Sequence, residues 1–306
     1  MNLATERAEE RPLLAARPVR FDWQRTPLHW LPGNPFVTHF INVLHLLLPE
    51  GELWFCRVYN KALPAITDGQ VAQDVRGFIQ QEAIHGKAHR AVLEHYYRAH
   101  HIDTAPYTDR VRWLFTKLLG EHPLGLTLAM PFLVRQWLLF RLGVIAAIEH
   151  FTCVIGKWVL DAKALDEANA DPVMLDLLRW HGAEEVEHRH VAHDLFVHMG
   201  GGYLYRLILM ILVAPILLVL WSRGTQYFLR RSPGAAPSRS VFLDWHRAAK
   251  AQLLPSMGLL LGSAARYLRP SYHPDAEADT AEALAYLAVS PATLAIAARA
   301  QRAPSA

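Results

Sequence analysis

Charge is scarce in this 306-residue chain: charged side chains make up 19%, against about 25% in an average soluble domain. Apolar residues reach 52%, which excludes intrinsic disorder and allows a large buried core. Cysteine is scarcer still. Cys56 and Cys153 are the only two; they cannot build a disulfide framework, and they fit a reducing, cytoplasmic compartment. The net charge is only +3, and the 31 basic side chains are scattered. No basic stripe marks a nucleic-acid binder. Strand signals are nearly absent, with no hairpin dipeptide between alternating apolar residues and no βαβ rhythm. Nucleophile elbow, phosphate loop and dinucleotide fingerprint are all missing. Gly200-Gly201-Gly202 has no strand before it and no lysine after it, so it reads as a helix stop. The first twenty residues carry Glu6, Glu9, Glu10 and several arginines without an apolar stretch, which is not a secretory signal.

What is present is helical spacing. Apolar residues recur at the 3.6-residue period and are broken by proline and glycine. This predicts helices near 35–48, 51–63, 70–100, 107–119, 133–163, 172–199, 204–229, 240–262 and 278–300. Asp171-Pro172 places a capping acid before a first-turn proline. The expected class is all-α. Residues 1–20 read as a polar, poorly ordered arm and 21–229 as a helical bundle. Residues 230–238 read as a linker, and 239–306 as C-terminal helices packing on the same domain.

One run stands apart. Leu207 to Trp221 is apolar and uncharged, with Tyr203, Tyr205 and Arg206 before it and Arg223, Arg230 and Arg231 after it. At about 1.5 Å per residue it reaches roughly 22 Å, short of the roughly 30 Å hydrocarbon core. It reads first as a helix buried on all sides or lining an apolar cavity. The alternative is a segment dipping into one leaflet at the inner face of the membrane, anchored by its aromatic and arginine flanks.

Histidine is unusually frequent, with 17 copies, more than half the 31 of Lys plus Arg. Two sites on different expected helices share one spelling: Glu82-Ala83-Ile84-His85 and Glu185-Val186-Glu187-His188. On a helix, i and i+3 share a face about one turn apart, so each pair can grip one metal ion. A single Glu-x-x-His is common by chance. Here each is preceded by a lone glutamate on an apolar helix, Glu52 and Glu149, and each of those is followed four residues later by a cysteine. An unpaired carboxylate in such a helix would cost several kcal/mol. The duplicated pattern implies a pseudo-twofold bundle. Its set, Glu52, Glu82, His85, Glu149, Glu185 and His188, is the donor set of a ferritin-like dinuclear carboxylate bundle. Four carboxylates and two neutral imidazoles balance two divalent ions. The competing explanation is that these are core acids paired with Arg57, Lys87 or Arg90.

The chain also resembles a known family. The motifs are Trp30-Leu31-Pro32-Gly33-Asn34-Pro35, Asn42, Pro49-Glu50-Gly51-Glu52, Phe78 through His85 with His89, Glu149-His150-Phe151-Thr152, and Trp180 through His188. Occurring in this order over roughly residues 18 to 230, they resemble a bacterial family catalogued as predicted metal-dependent hydrolases, related in pattern to ferritin-like di-iron proteins. None of the six donor positions departs from that pattern.

Around the six donors, His89 and His181 share faces with the Glu-x-x-His pairs and are expected beside the metals or as further ligands. His150 is rotated about 100° from Glu149 on a helix and is expected to meet a neighbouring helix. Glu184 and Glu187 either orient ligand imidazoles or face solvent. The cysteines read as apolar fillers. Carboxylate-rich, thiolate-free donors suit iron or manganese better than structural zinc. The first functional expectation is therefore a di-iron oxidoreductase that activates oxygen against a small apolar or acyl-type substrate, with an external electron donor. The alternative is a hydrolase using a hydroxide shared by two metals. A second alternative is a non-catalytic iron-binding or ferroxidase protein. A homodimer is among the assemblies open to such a chain.

Overall fold

The computed structural model describes residues 13–302, and the chain over these residues is all-α, with no strand among them. Helix α1 spans Pro35–Ala62 and α2 spans Gly69–Ala91, continued by a π-helical stretch, Val92–Tyr97. Short α3 (Ala105–Trp113) leads to α4 (Pro131–Asp161), α5 (Lys163–Glu167), α6 (Pro172–Glu187) and α7 (Val191–His198). Helix α8 (Tyr203–Leu229) precedes α9 (Val241–Lys250), α10 (Met257–Tyr267), α11 (Thr280–Val289) and α12 (Pro291–Arg302).

Most expected helices are found, and the differences have local causes. The segments 35–48 and 51–63 are one helix running through Pro49. An interior proline costs about 3 kcal/mol or more, but α1 is buried along nearly its whole length and that packing offsets the cost. The expected helix 172–199 turns at His188–His190 and resumes as α7, with no glycine or proline to announce the stop. A break at 251–256 divides the expected 240–262, and Ser290-Pro291 divides 278–300, with α11 and α12 bent by 59°.

The core is made of two helical pairs, α1 with α2 and α4 with α6, which pack on each other. Asp68 caps α2 by accepting from Val71 N, and Asp171 caps α6 by accepting from Val173 N and Met174 N. Trp30 Nε1 donates to Asn42 Oδ1 at 2.8 Å, and Trp30 O accepts from Asp171 N at 2.7 Å, which ties the entry loop to both pairs. The C-terminal helices pack on α6 through its buried Asp176, which accepts from Tyr286 Oη, Ser290 Oγ and Ala292 N. Residues 13–20, expected as part of a loose polar arm, instead lie against α2 and α6. Val19 is buried and Ala15 O accepts from Gln81 Nε2. The rest of that expected arm, residues 1–12, lies outside the described residues.

Two helices, α4 and α8, are long and apolar enough to cross a membrane, but they differ in surroundings. The most apolar window of α4 is 67% buried, and that of α8 only 22%. Helix α8 is therefore not enclosed on all sides. Leu204, Ile208, Ile211, Ile216 and Val219 are exposed along it.

Helices α4 and α6 touch backbone to backbone at Gly156 and Gly182. A methyl group on Gly156 would sit 2.5 Å from the Gly182 carbonyl oxygen, and one on Gly182 would sit 2.8 Å from Gly156 Cα. This close approach fixes the spacing of two helices that carry candidate donors. Gly182→Ala should therefore cost about 1–3 kcal/mol by overpacking, read as a lowered melting temperature. Gly258→Ala, whose added methyl meets only Ser256 Oγ at 3.7 Å, should not lower it. Equal melting temperatures for Gly182→Ala and wild type would contradict the close-contact account.

Candidate metal centre

The four core helices point their carboxylates and imidazoles at one another. Glu52 comes from α1, Glu82 and His85 from α2, Glu149 from α4, and Glu185 with His188 from the end of α6. All six are buried, at 2% exposure or less. The structure brings the whole predicted set together. His188 Nε2 lies 3.3 Å from Glu149 Oε2, 3.3 Å from Glu185 Oε2 and 3.4 Å from Glu82 Oε1. His85 Nδ1 lies 3.4 Å from Glu82 Oε1 and 3.6 Å from Glu185 Oε1.

His181 joins them. Its Nε2 is 2.8 Å from Glu185 Oε1 and its Nδ1 is 3.9 Å from Glu52 Oε1. The donors form two groups that share Glu185: Glu52, His85, His181 and Glu185, and Glu82, Glu149, Glu185 and His188. Within each group one donor atom per residue lies within 4.8 Å of the others.

These groups fit cations. Both oxygens of Glu52, Glu82 and Glu149, and Nδ1 of His85, have no hydrogen-bond partner despite burial. Leaving buried carboxylate oxygens unpaired is costly. Among the described residues the arginine or lysine pairing that would explain them otherwise is not found: Arg90 pairs with Glu50, and Arg57 and Lys87 are exposed. Burial, and then the charge of Glu82, pushes the Glu52 carboxyl well above the usual range. Burial, and then Glu185, does the same to Glu149. Burial alone would raise Glu185, but His188 and His181 hold it well below its usual value. His188 shows the reverse balance. Burial alone would lower it, while Glu185 and Glu149 push it up to about 10.

Each donor imidazole has its far nitrogen held. His85 Nε2 meets Glu184 Oε2 at 2.8 Å, and His188 Nδ1 meets Gln81 Oε1 at 3.0 Å. His181 Nδ1 meets His89 Nε2 at 2.7 Å, and His89 Nδ1 meets His45 Nδ1 at 2.7 Å. Burial, and then the neighbouring histidine charges, holds His89 well below its usual value, and burial with His181 lowers His45 to about 3. With Nε2 of His181 turned to the carboxylates, neutral imidazoles donate outward in sequence, His181 to His89 and His89 to His45.

Arg17 closes this outer layer. It donates to Glu184 Oε1 at 2.9 Å and to Glu187 Oε2 at 2.8 Å, and Glu187 Oε2 accepts from Gln81 Nε2 at 2.8 Å. One guanidinium thus braces His85 through Glu184 and His188 through Glu187 and Gln81. Glu184 and Glu187 face inward, not to solvent. Arg17 and His45 carried no signal in the sequence, and Gln81, though inside the Phe78–His85 motif, carried none for this role, because their contacts join segments far apart along the chain. His150, expected to meet a neighbouring helix, packs its ring 4.8 Å from that of Tyr267 of α10, and its Nδ1 meets Tyr272 Oη at 2.8 Å. Cys56 and Cys153 are buried and unbonded to each other.

The sign of the pH dependence follows. Raised values at Glu52, Glu149 and His188 mean that metal-free protein binds these protons more tightly folded than unfolded. For His188 the stabilisation is full below about 6.5, its ordinary value, and is gone once pH has passed about 10. The melting temperature of chelator-treated protein should therefore fall as pH rises from neutral to alkaline. Metal-loaded protein should fall far less, because cations replace the protons. Parallel curves for the two forms would contradict this. Arg17→Ala should weaken metal affinity by about 10–100-fold, measured by chelator competition, and added guanidinium should restore part of the loss.

No curated protein and no solved structure matches the chain significantly. The family described as predicted metal-dependent hydrolase matches residues 15–278, a stretch that holds every donor named above together with Arg17. On that match, over most of its length, the chain belongs to the family of predicted metal-dependent hydrolases.

Proposed function

We propose that the chain is a dinuclear metal enzyme that hydrolyses an ester-type bond in a small apolar or acyl-type substrate. Its four donor helices make a ferritin-like bundle around two divalent ions. Glu52, His85 and His181 would hold one ion and Glu82, Glu149 and His188 the other, with Glu185 available to both. Four carboxylates, three neutral imidazoles and two divalent ions sum to zero charge, which a buried site requires. Two ions so held supply a hydroxide near neutral pH and polarise a carbonyl oxygen.

The observation that carries the substrate class is a cavity of about 210 Å³ beside the donors. His181 and His89 stand in its wall, and the rest is almost wholly apolar, including Phe55, Ile148, Phe151 and Leu178. No Asp, Glu, Lys or Arg lines it. Such walls accept an uncharged chain and exclude bulk water from the carbonyl. Glu184, Gln81 and His89 keep the donor histidines oriented while the substrate sits at this wall. A storage role leaves the cavity without a purpose.

The donor chemistry favours a second reading. Carboxylate-rich, thiolate-free donors suit iron, and with an external electron donor the same cavity would present a chain for oxidation. The test is hydrolysis of neutral acyl esters of increasing chain length, with metal-loaded and chelated protein. Hydrolysis that rises with chain length and vanishes with chelator supports the proposal. Oxygen uptake by iron-reconstituted, reduced protein, without ester hydrolysis, replaces it with the oxidative reading.

A further inference from the structure

The cavity does not end inside the protein. Its lining extends from His181 and His89, past side chains of α1 and α4, to side chains of α8 and α10, and this partly exposed end is taken as its mouth. Leu217 and Leu218 of α8 and Met257, Leu260 and Leu261 of α10 stand at that end, and Leu261 is 62% exposed. Helix α8 packs on α1 and α4, and α10 packs on α4; α8 meets the C-terminal end of α10 through Arg206 over the Tyr267 ring, and both helices contribute lining residues to the cavity.

The surface around this mouth is apolar. On α8, Leu204, Ile208, Ile211, Leu212, Ile216 and Val219 are exposed at three- and four-residue steps, forming one stripe. Phe242 and Leu243 of α9 are exposed as well. No Asp or Glu occurs between Asp194 and Asp244, whereas Arg223, Arg230 and Arg239 are exposed there. An apolar face on a segment whose own charges are all positive complements a bilayer with anionic headgroups.

We propose that α8 docks its exposed face on an anionic bilayer, and that the mouth between α8 and α10 takes an uncharged acyl chain from that bilayer to the buried centre. This rests on the acyl-substrate reading for the cavity, while the docking face stands on α8 itself. Entry from the lipid phase keeps the chain out of water throughout. It also explains why a cavity without charged walls opens through apolar side chains.

The experiment uses full-length protein with vesicles of phosphatidylcholine, with and without phosphatidylglycerol. The vesicles carry a methyl ester of a fatty acid bearing a nitroxide near its chain end. Trp158, Trp221 and Trp245 line the cavity, so chain entry reads out as quenching of tryptophan fluorescence, independent of activity. Wild type should sediment with the phosphatidylglycerol vesicles and be quenched there. Ile208→Asp with Ile211→Asp should lower partitioning by about tenfold or more, given the cost of placing charge in the interface. Leu218→Trp, at the mouth, should keep partitioning and lose quenching. Melting temperature and metal content of each variant report folding, and metal content also separates failure of the dimetal reading from failure of docking. Wild type that stays in the supernatant overturns the proposal. So does a dimer in solution that Ile208→Asp with Ile211→Asp converts to monomer, because a second copy would then cover the stripe. Quenching that persists in Leu218→Trp overturns the entry route.

Discussion

Four carboxylates gathered inside an apolar bundle impose the condition that the rest of this structure meets. Glu52, Glu82, Glu149 and Glu185 are each at 2% exposure or less, and their ion-pair partners among the described residues are all histidines. Protons can relieve their repulsion by raising carboxyl pKa values, and cations relieve it more completely. The unpaired oxygens of Glu52, Glu82 and Glu149 mark where cations are wanted. The Gly156–Gly182 contact, the capped starts of α2 and α6 and the Trp30–Asn42 bond all serve to hold those helices at fixed spacing.

Around this inner set lies a layer of opposite character, in which every charge has its partner. Arg17 neutralises Glu184 and Glu187, and those carboxylates with Gln81 fix two donor histidines. His89 and His45 fix the third. The contrast between an unsatisfied inner set and a satisfied outer one is what separates a metal centre from a buried salt-bridge network. Beyond the outer layer the polarity stops. The cavity that reaches His181 is walled by apolar side chains, so cavity and donor set meet at one imidazole.

The parts legible in the sequence were those fixed by short-range periodicity. Each Glu-x-x-His pair shares a face because three residues make most of a helical turn, and its duplication with Glu52 and Glu149 exposed the pairing of helices. Asp171-Pro172 announced the start of α6 for a similarly local reason. Contacts between distant segments left no such trace. Arg17 meets Glu184 across the fold, and nothing in the N-terminal residues marks one arginine above the others. His181 was visible as a face-sharing histidine, but spacing alone could not separate a donor from a supporting imidazole. His89, with the same kind of spacing, has its two ring nitrogens on His181 and His45. Pro49 gave a false stop because burial of α1 outweighs the lost hydrogen bond, and the turn at His188–His190 came without a breaker residue. Leu207–Trp221 lines an apolar cavity on one face, as one form of the first reading had it, and is exposed on another, because apolar composition does not say which medium surrounds each face of a helix.

The central claim is that these helices are held around two cations. It is tested most directly by counting metal ions per chain in wild type and in Glu149→Ala, using elemental analysis of protein expressed with iron and manganese available. The account gives about two ions per wild-type chain. In Glu149→Ala one carboxylate is lost from the group with Glu82, Glu185 and His188, and the count should fall to one or none. Wild type free of metal, or Glu149→Ala with the wild-type count, would contradict it.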